Sequence, residues 1–63
     1  MMDLKTARFI KKKTQFDLTL ITGIHQSKLS NFESGYLKPS EDEVKRLAKA
    51  LGVKADDLNW KHE

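Results

Sequence analysis

Cysteine is absent from the 63-residue chain, so disulfides and thiolate metal sites are excluded as sources of stability or chemistry. Long apolar runs are missing as well, and none approaches the roughly 20 residues that a membrane-spanning helix needs. The start, Met1-Met2-Asp3-Leu4-Lys5, lacks the apolar core of a secretory signal. A reducing cytoplasm is therefore the expected location, with no membrane association. The two histidines, His25 and His62, have no catalytic companions at readable spacing, and neither a metal-ligand cluster nor a glycine-rich phosphate loop is present. No enzymatic activity, cofactor or metal is expected. Proline occurs once, as Pro39, which leaves most of the chain free to be helical.

A chain of this size forms one domain, here taken as 1–63, and buries only part of its apolar surface. Without a covalent or metal staple, its stability must come from close helix packing or self-association. The formal charge is +3, and its distribution says more than its size. Residues 1–38 hold seven basic and three acidic groups, a surplus of four, whereas residues 39–63 hold five basic and six acidic ones. The positive field belongs to the N-terminal part, where a phosphate backbone is attracted.

Hydrophobic periodicity predicts five helices and no strand. The first covers about Asp3 to Lys12, with Leu4, Ala7, Arg8 and Lys11 at helical spacing. Thr14-Gln15-Phe16-Asp17 opens the second with a reciprocal cap, Thr14 accepting from the third helical amide and Asp17 reaching back. Leu18, Ile21 and Thr22 are assigned to its inner face, and Gly23 is its stop. A third helix, about Gln26 to Ser34, turns Leu29 and Phe32 inward and ends at Gly35. Ser40-Glu41-Asp42-Glu43 forms a second capping box, with carboxylates placed to favour a helix N-terminus. Val44, Leu47, Ala48 and Leu51 then make an apolar stripe closed by Gly52. A short fifth helix is expected near Ala55 to Asn59, with Leu58 packed back.

Helices two and three are separated only by Gly23-Ile24-His25, which reads as a helix-turn-helix over about residues 14–34. In DNA-binding versions the N-terminal end of the second helix projects into the major groove. The projecting residues are Gln26, Ser27, Lys28, Ser30 and Asn31; Gln and Asn suit two-pronged pairing with adenine.

The pattern Thr14-Gln15-x-x-Leu18-x-x-x-Thr22-Gly23-Ile24-x-Gln26-Ser27-x-Leu29-Ser30-x-Phe32-Glu33-x-Gly35, followed by Pro39-Ser40 and Leu47-Ala48-x-Ala50-Leu51-Gly52-Val53, resembles the lambda-repressor-like family. That family includes phage repressors, Cro proteins and many antitoxins. The resemblance runs from about Leu4 to Leu58 and implies an all-α, compact five-helix domain that binds duplex DNA as a small transcriptional regulator, a repressor. It implies base contacts from Gln26, Ser27, Asn31 and Ser30. Backbone contacts are implied for Thr14, Gln15, Lys28, Ser34, Tyr36 and Lys38. Arg8 and Glu33 match a pair that forms a partly buried salt bridge between helices one and three. The family works as a homodimer on two half-sites about one helical turn apart. Helices four and five, with Val53, Leu58 and Trp60, are the expected interface, although Trp60 reads equally as core.

Three positions depart from the family pattern. His25 stands where Ser or Thr ordinarily caps the recognition helix, and it reads either as a phosphate- or base-facing group or as a tolerated surface residue. Thr19 replaces a smaller residue between helices two and three. Lys13 occupies an ordinarily apolar position, while Phe16 and Leu20 occupy ordinarily exposed ones, four apart on one helical face. Either Phe16 folds under the Lys13 stem, or the two form an apolar patch for a protein partner or a second copy. The second possibility supports an alternative function, that of a helical protein-interaction or antitoxin-like module.

Overall fold

The computed structural model describes residues 2–60; His62 lies outside them. Four α-helices occur in the order α1 (Leu4–Ile10), α2 (Gln15–Thr22), α3 (Gln26–Ser34) and α4 (Glu41–Leu51), followed by a single 3-10 turn, Ala55–Asp57. The domain is all-helical among the described residues apart from one isolated parallel bridge between Met2 and Leu58.

Local chemistry accounts for most helix ends. Asp3 caps α1, its Oδ1 accepting from the Thr6 amide at 2.8 Å. Both capping boxes form: Thr14 with Asp17 at α2, and Ser40 with Glu43 at α4. Each holds two amides that the helix itself leaves unpaired. The first helix stops short of the expected Lys12. Lys12 takes up the left-handed region with φ 57°, and its amide donates to the Phe9 carbonyl at 3.1 Å, while that of Lys13 donates to Arg8 at 2.9 Å. A side chain in that region costs about 1–2 kcal/mol relative to the right-handed helix.

The expected fifth helix is corrected to this three-residue turn. The Met2 amide donates to the Asp57 carbonyl at 2.9 Å, and the Asn59 amide donates to the Met2 carbonyl at 2.7 Å. Backbone groups that would have extended a helix are thus paired with the N-terminal segment, and Leu58 is extended.

Leu4, Ala7, Leu18, Ile24, Leu29, Phe32, Leu47, Ala48, Leu51 and Leu58 form one buried cluster. Leu4, Leu18, Leu29 and Leu47 are its largest fully buried side chains; each contributes about 1.5–3 kcal/mol by leaving water. The α2 helix packs on both α3 and α4, while α1 meets α3 and the 3-10 turn meets α4. Trp60 is partly buried against this core, edge-on to Phe32 with ring centroids 6.3 Å apart. Leu58 is therefore not a surface residue, and much of Trp60 is engaged within the chain.

A second correction concerns α2. Leu18 is buried and Thr22 half-buried, but Ile21 is 55% exposed. Opposite Ile21, α4 presents Ala50 and the long polar side chains of Arg46 and Lys49 around an open cavity of about 440 Å³. No large apolar side chain reaches across to cover it. Phe16 also stays exposed, at 56%, so its ring is not folded away under Lys13.

Candidate nucleic-acid interface

The turn between α2 and α3 is fixed by three residues with separate tasks. Gly23 adopts φ 77°, the left-handed conformation that reverses the chain at least cost when no Cβ is present. Ile24 is buried in the core and anchors the turn. Thr22 links the two through its hydroxyl, which donates to the Leu18 carbonyl at 2.6 Å and accepts from the Ile24 amide at 3.1 Å.

His25 then caps α3. Its Nδ1 accepts from the Ser27 amide at 3.3 Å and lies 2.9 Å from Ser27 Oγ. Because an amide can only donate, Nδ1 is the acceptor in this arrangement; the neutral ring carries its hydrogen on Nε2. The histidine performs the capping task of a shorter polar residue and keeps a second donor.

Successive residues of an α-helix are rotated by about 100°, so Gln26, Ser30, Ser27 and Asn31 fall within an arc of about 140° on α3. Gln26, Ser27 and Ser30 are exposed and Asn31 is half-buried. The opposite side carries Leu29 and Phe32, both buried. Core packing therefore aims the four polar side chains outward together. Lys28 lies near the edge of the inner face, and its ammonium pairs with Glu43 of α4 at 2.6 Å. This lysine, expected on the DNA backbone, ties α3 to α4 while 47% of its side chain stays exposed. The Lys28 ammonium and, next, the Ser40 backbone amide hold the Glu43 carboxyl below its ordinary value of 4.5.

Arg8, Glu33 and Gln15 join three helices. Arg8 Nε donates to Glu33 Oε2 at 2.8 Å, and its Nη2 donates to Oε1 at 3.2 Å. Its Nη1 donates to the Lys13 carbonyl at 3.2 Å. Gln15 Nε2 donates to Glu33 Oε1 at 3.1 Å, which fixes the amide at the start of α2 and leaves its second N–H available. Both side chains of the ion pair are 9% exposed. The two-pronged geometry suits guanidinium and carboxylate and sets the positions of the α2 and α3 ends relative to α1.

The remaining residues occupy more open positions. Thr14 Oγ1 accepts from the Asp17 amide at 3.0 Å, leaving its hydroxyl hydrogen free to donate. The same box lowers the Asp17 carboxyl below 3.8, chiefly through the Thr14 amide. Ser34 is exposed and its hydroxyl donates to the Asn31 carbonyl at 3.2 Å. That carbonyl also accepts from the Tyr36 and Leu37 amides at 3.0 and 3.2 Å, which shapes the loop after α3. Tyr36 and Lys38 are exposed on that loop. Among the described residues Lys11, Lys12 and Lys38 have no ion-pair partner, so their charge acts outward. No group of acidic, histidine or cysteine side chains suited to a metal occurs among the described residues.

A family model for helix-turn-helix domains matches residues 4–58, from the start of α1 to the buried Leu58. The chain belongs to the lambda-repressor-like helix-turn-helix family. Comparison with curated proteins and with solved structures gives no significant match. As a lambda-repressor-like domain, the protein is a DNA-binding module of the transcription-regulator type. No helix among the described residues is long and apolar enough to cross a membrane.

Sequence reasoning missed two features of this lambda-repressor-like domain. Phe9 and Ile10, at the end of α1, are exposed, and Phe9 lies beneath the Arg8 guanidinium and the Lys5 ammonium at 5.1 and 5.9 Å. The Lys28–Glu43 pair also went unread, because its partners are on different helices. The spacing of Lys5 and Phe9 on one helical face was a usable signal for the first.

Proposed function

We propose that this lambda-repressor-like domain reads duplex DNA sequence-specifically, with α3 in the major groove, and acts as a repressor by occupying its operator. The observation carrying this reading is the outward arc of Gln26, Ser27, Ser30 and Asn31, held against the core by Leu29 and Phe32. Their donors and acceptors match the edges that base pairs display in that groove. Thr14, Gln15, Ser34, Tyr36 and Lys38 flank the arc in the chain and would bind phosphates, setting register while the arc selects sequence. Lys28, paired with Glu43 and still partly exposed, would add a further phosphate contact. The limited contact area of one domain favours two copies on half-sites about one helical turn apart, in the cytoplasm with the DNA.

Fluorescence anisotropy on an operator duplex at several salt concentrations separates the two classes of contact. Lys38→Ala is expected to weaken binding to every duplex and to reduce the salt slope by about 0.9 for the lost phosphate contact. Gln26→Ala is expected to keep that slope and lose about 1–3 kcal/mol of discrimination at particular base pairs. A uniform loss across sequences from Gln26→Ala would contradict its base-reading role.

A further inference from the structure

The DNA contacts proposed above use neither Phe16, Leu20 and Ile21 on α2 nor the groove beside them. Phe16 and Leu20 stand one turn apart and are 56% and 68% exposed. Ile21, about 100° round the helix from Leu20, lines with Thr22 a cavity of about 440 Å³, where Ala50 contributes to the wall and Arg46 and Lys49 are the charged lining residues. Lys49 has no ion-pair partner among the described residues, and Arg46 meets only the exposed Asp42, at 2.9 Å. Exposed pairs of that kind hold weakly. Asp17, between Leu20 and Ile21 on the helical wheel, keeps its negative charge in the α2 cap but does not line the cavity. The cavity wall is thus apolar at Ile21 and Ala50 and cationic at Arg46 and Lys49.

We propose that this α2–α4 groove docks an acidic amphipathic helix of a partner protein. Its apolar side chains would cover Leu20 and Ile21, and its carboxylates would meet Lys49 and Arg46. Charge complementarity selects this occupant. A second copy in a two-fold interface would bring the same patch to both sides, setting Arg46 and Lys49 of the two copies near one another. DNA gains nothing from the apolar wall, because phosphate contacts need donors and charge. A compact small molecule in the cavity would leave Phe16 and Leu20 uncovered, since neither lines it.

The test uses the full chain and a fluorescein-labelled, helix-stabilised peptide of about 15 residues, with Leu at helical spacing and Glu on the flanks. A second peptide replaces every Glu by Lys. Amide chemical shifts of the 15N-labelled protein are followed during each titration. Shifts confined to Phe16, Leu20, Ile21, Arg46, Lys49 and Ala50, with the acidic peptide favoured by at least about tenfold, are the expected result. Lys49→Glu, an exposed change whose folding is checked by its melting curve, is expected to lose about tenfold toward the acidic peptide and to gain toward the lysine peptide. Leu20→Ser is expected to weaken both. Equal binding of the two peptides, shifts on α3 instead, or no binding overturns the proposal. Groove shifts that grow with protein concentration alone would assign the surface to a second copy. Groove shifts on adding duplex DNA would assign it to a phosphate backbone.

Discussion

Replacing Arg8 by Met tests how the reading helix is held. In the native protein the guanidinium meets Glu33 through two donors and the Lys13 carbonyl through a third. Arg8→Met leaves the Glu33 carboxylate, 9% exposed, with only the Gln15 amide as its partner among these groups. Removing one member of a buried pair costs about 3–5 kcal/mol because the other charge is left unpaired. The remaining Gln15 contact places this case near the lower end, at about 3 kcal/mol. A chain of this length has about 3–9 kcal/mol of stability in all, and each kcal/mol moves its melting temperature by about 4–8 °C. A fall of roughly 12–24 °C in far-UV circular dichroism is therefore expected. The double variant Arg8→Met, Glu33→Leu removes both charges and is expected to return to within about 1 kcal/mol of the native protein. The cycle should give a coupling energy of at least about 2 kcal/mol. Additive losses, or a cost below about 1 kcal/mol for Arg8→Met, would refute the reasoning.

Further expectations concern backbone strain, an unpaired hydroxyl and acid sensitivity. Lys12→Gly should stabilise the domain by about 0.5–1 kcal/mol, since relief at φ 57° exceeds the added chain entropy; denaturant unfolding reads this directly. Gly23→Ala should lose about 1–2 kcal/mol by the same measurement, wholly through the backbone, because an added Cβ meets nothing within 4 Å. Thr19 Oγ1 is buried without a hydrogen-bond partner, so Thr19→Ala should raise stability by roughly 0.5–1 kcal/mol despite the lost methyl; a loss would show that the hydroxyl is satisfied. Glu43 has its folded value depressed below 4.5 by Lys28 and the Ser40 amide. Its contribution is therefore present above pH 4.5 and is lost as the pH falls through the lower folded value. Glu43→Gln should flatten that acid limb in melting curves taken from neutral pH downward.

Features governed by neighbours in sequence were legible, whereas those governed by distant partners were not. The Thr14–Asp17 and Ser40–Glu43 boxes are three-residue spacings, so both helix starts could be read directly. The α3 limits followed from the short turn and Gly35. The fifth helix failed because its competitor was Met2, at the other end of the chain, whose backbone pairs with Asp57 and Asn59. Ile21 has inner-face spacing, yet periodicity does not reveal that α4 offers Ala50, Arg46 and Lys49 there. In the candidate site, helical geometry alone places Gln26, Ser27, Ser30 and Asn31 on one side. The Lys28–Glu43 pair was not legible, because its partners lie fifteen positions apart on different helices. The joining of Arg8 to Glu33 came from family resemblance, since no local spacing connects positions 25 residues apart.

Selection from a pool of random DNA duplexes, with the native protein alongside the Gln26→Ala, Asn31→Ala variant, tests sequence reading through α3 most directly. Enrichment of one site with two-fold symmetry, lost or altered by the variant, is the expected result. No enrichment by the native protein, or the same site enriched equally by the variant, would contradict it.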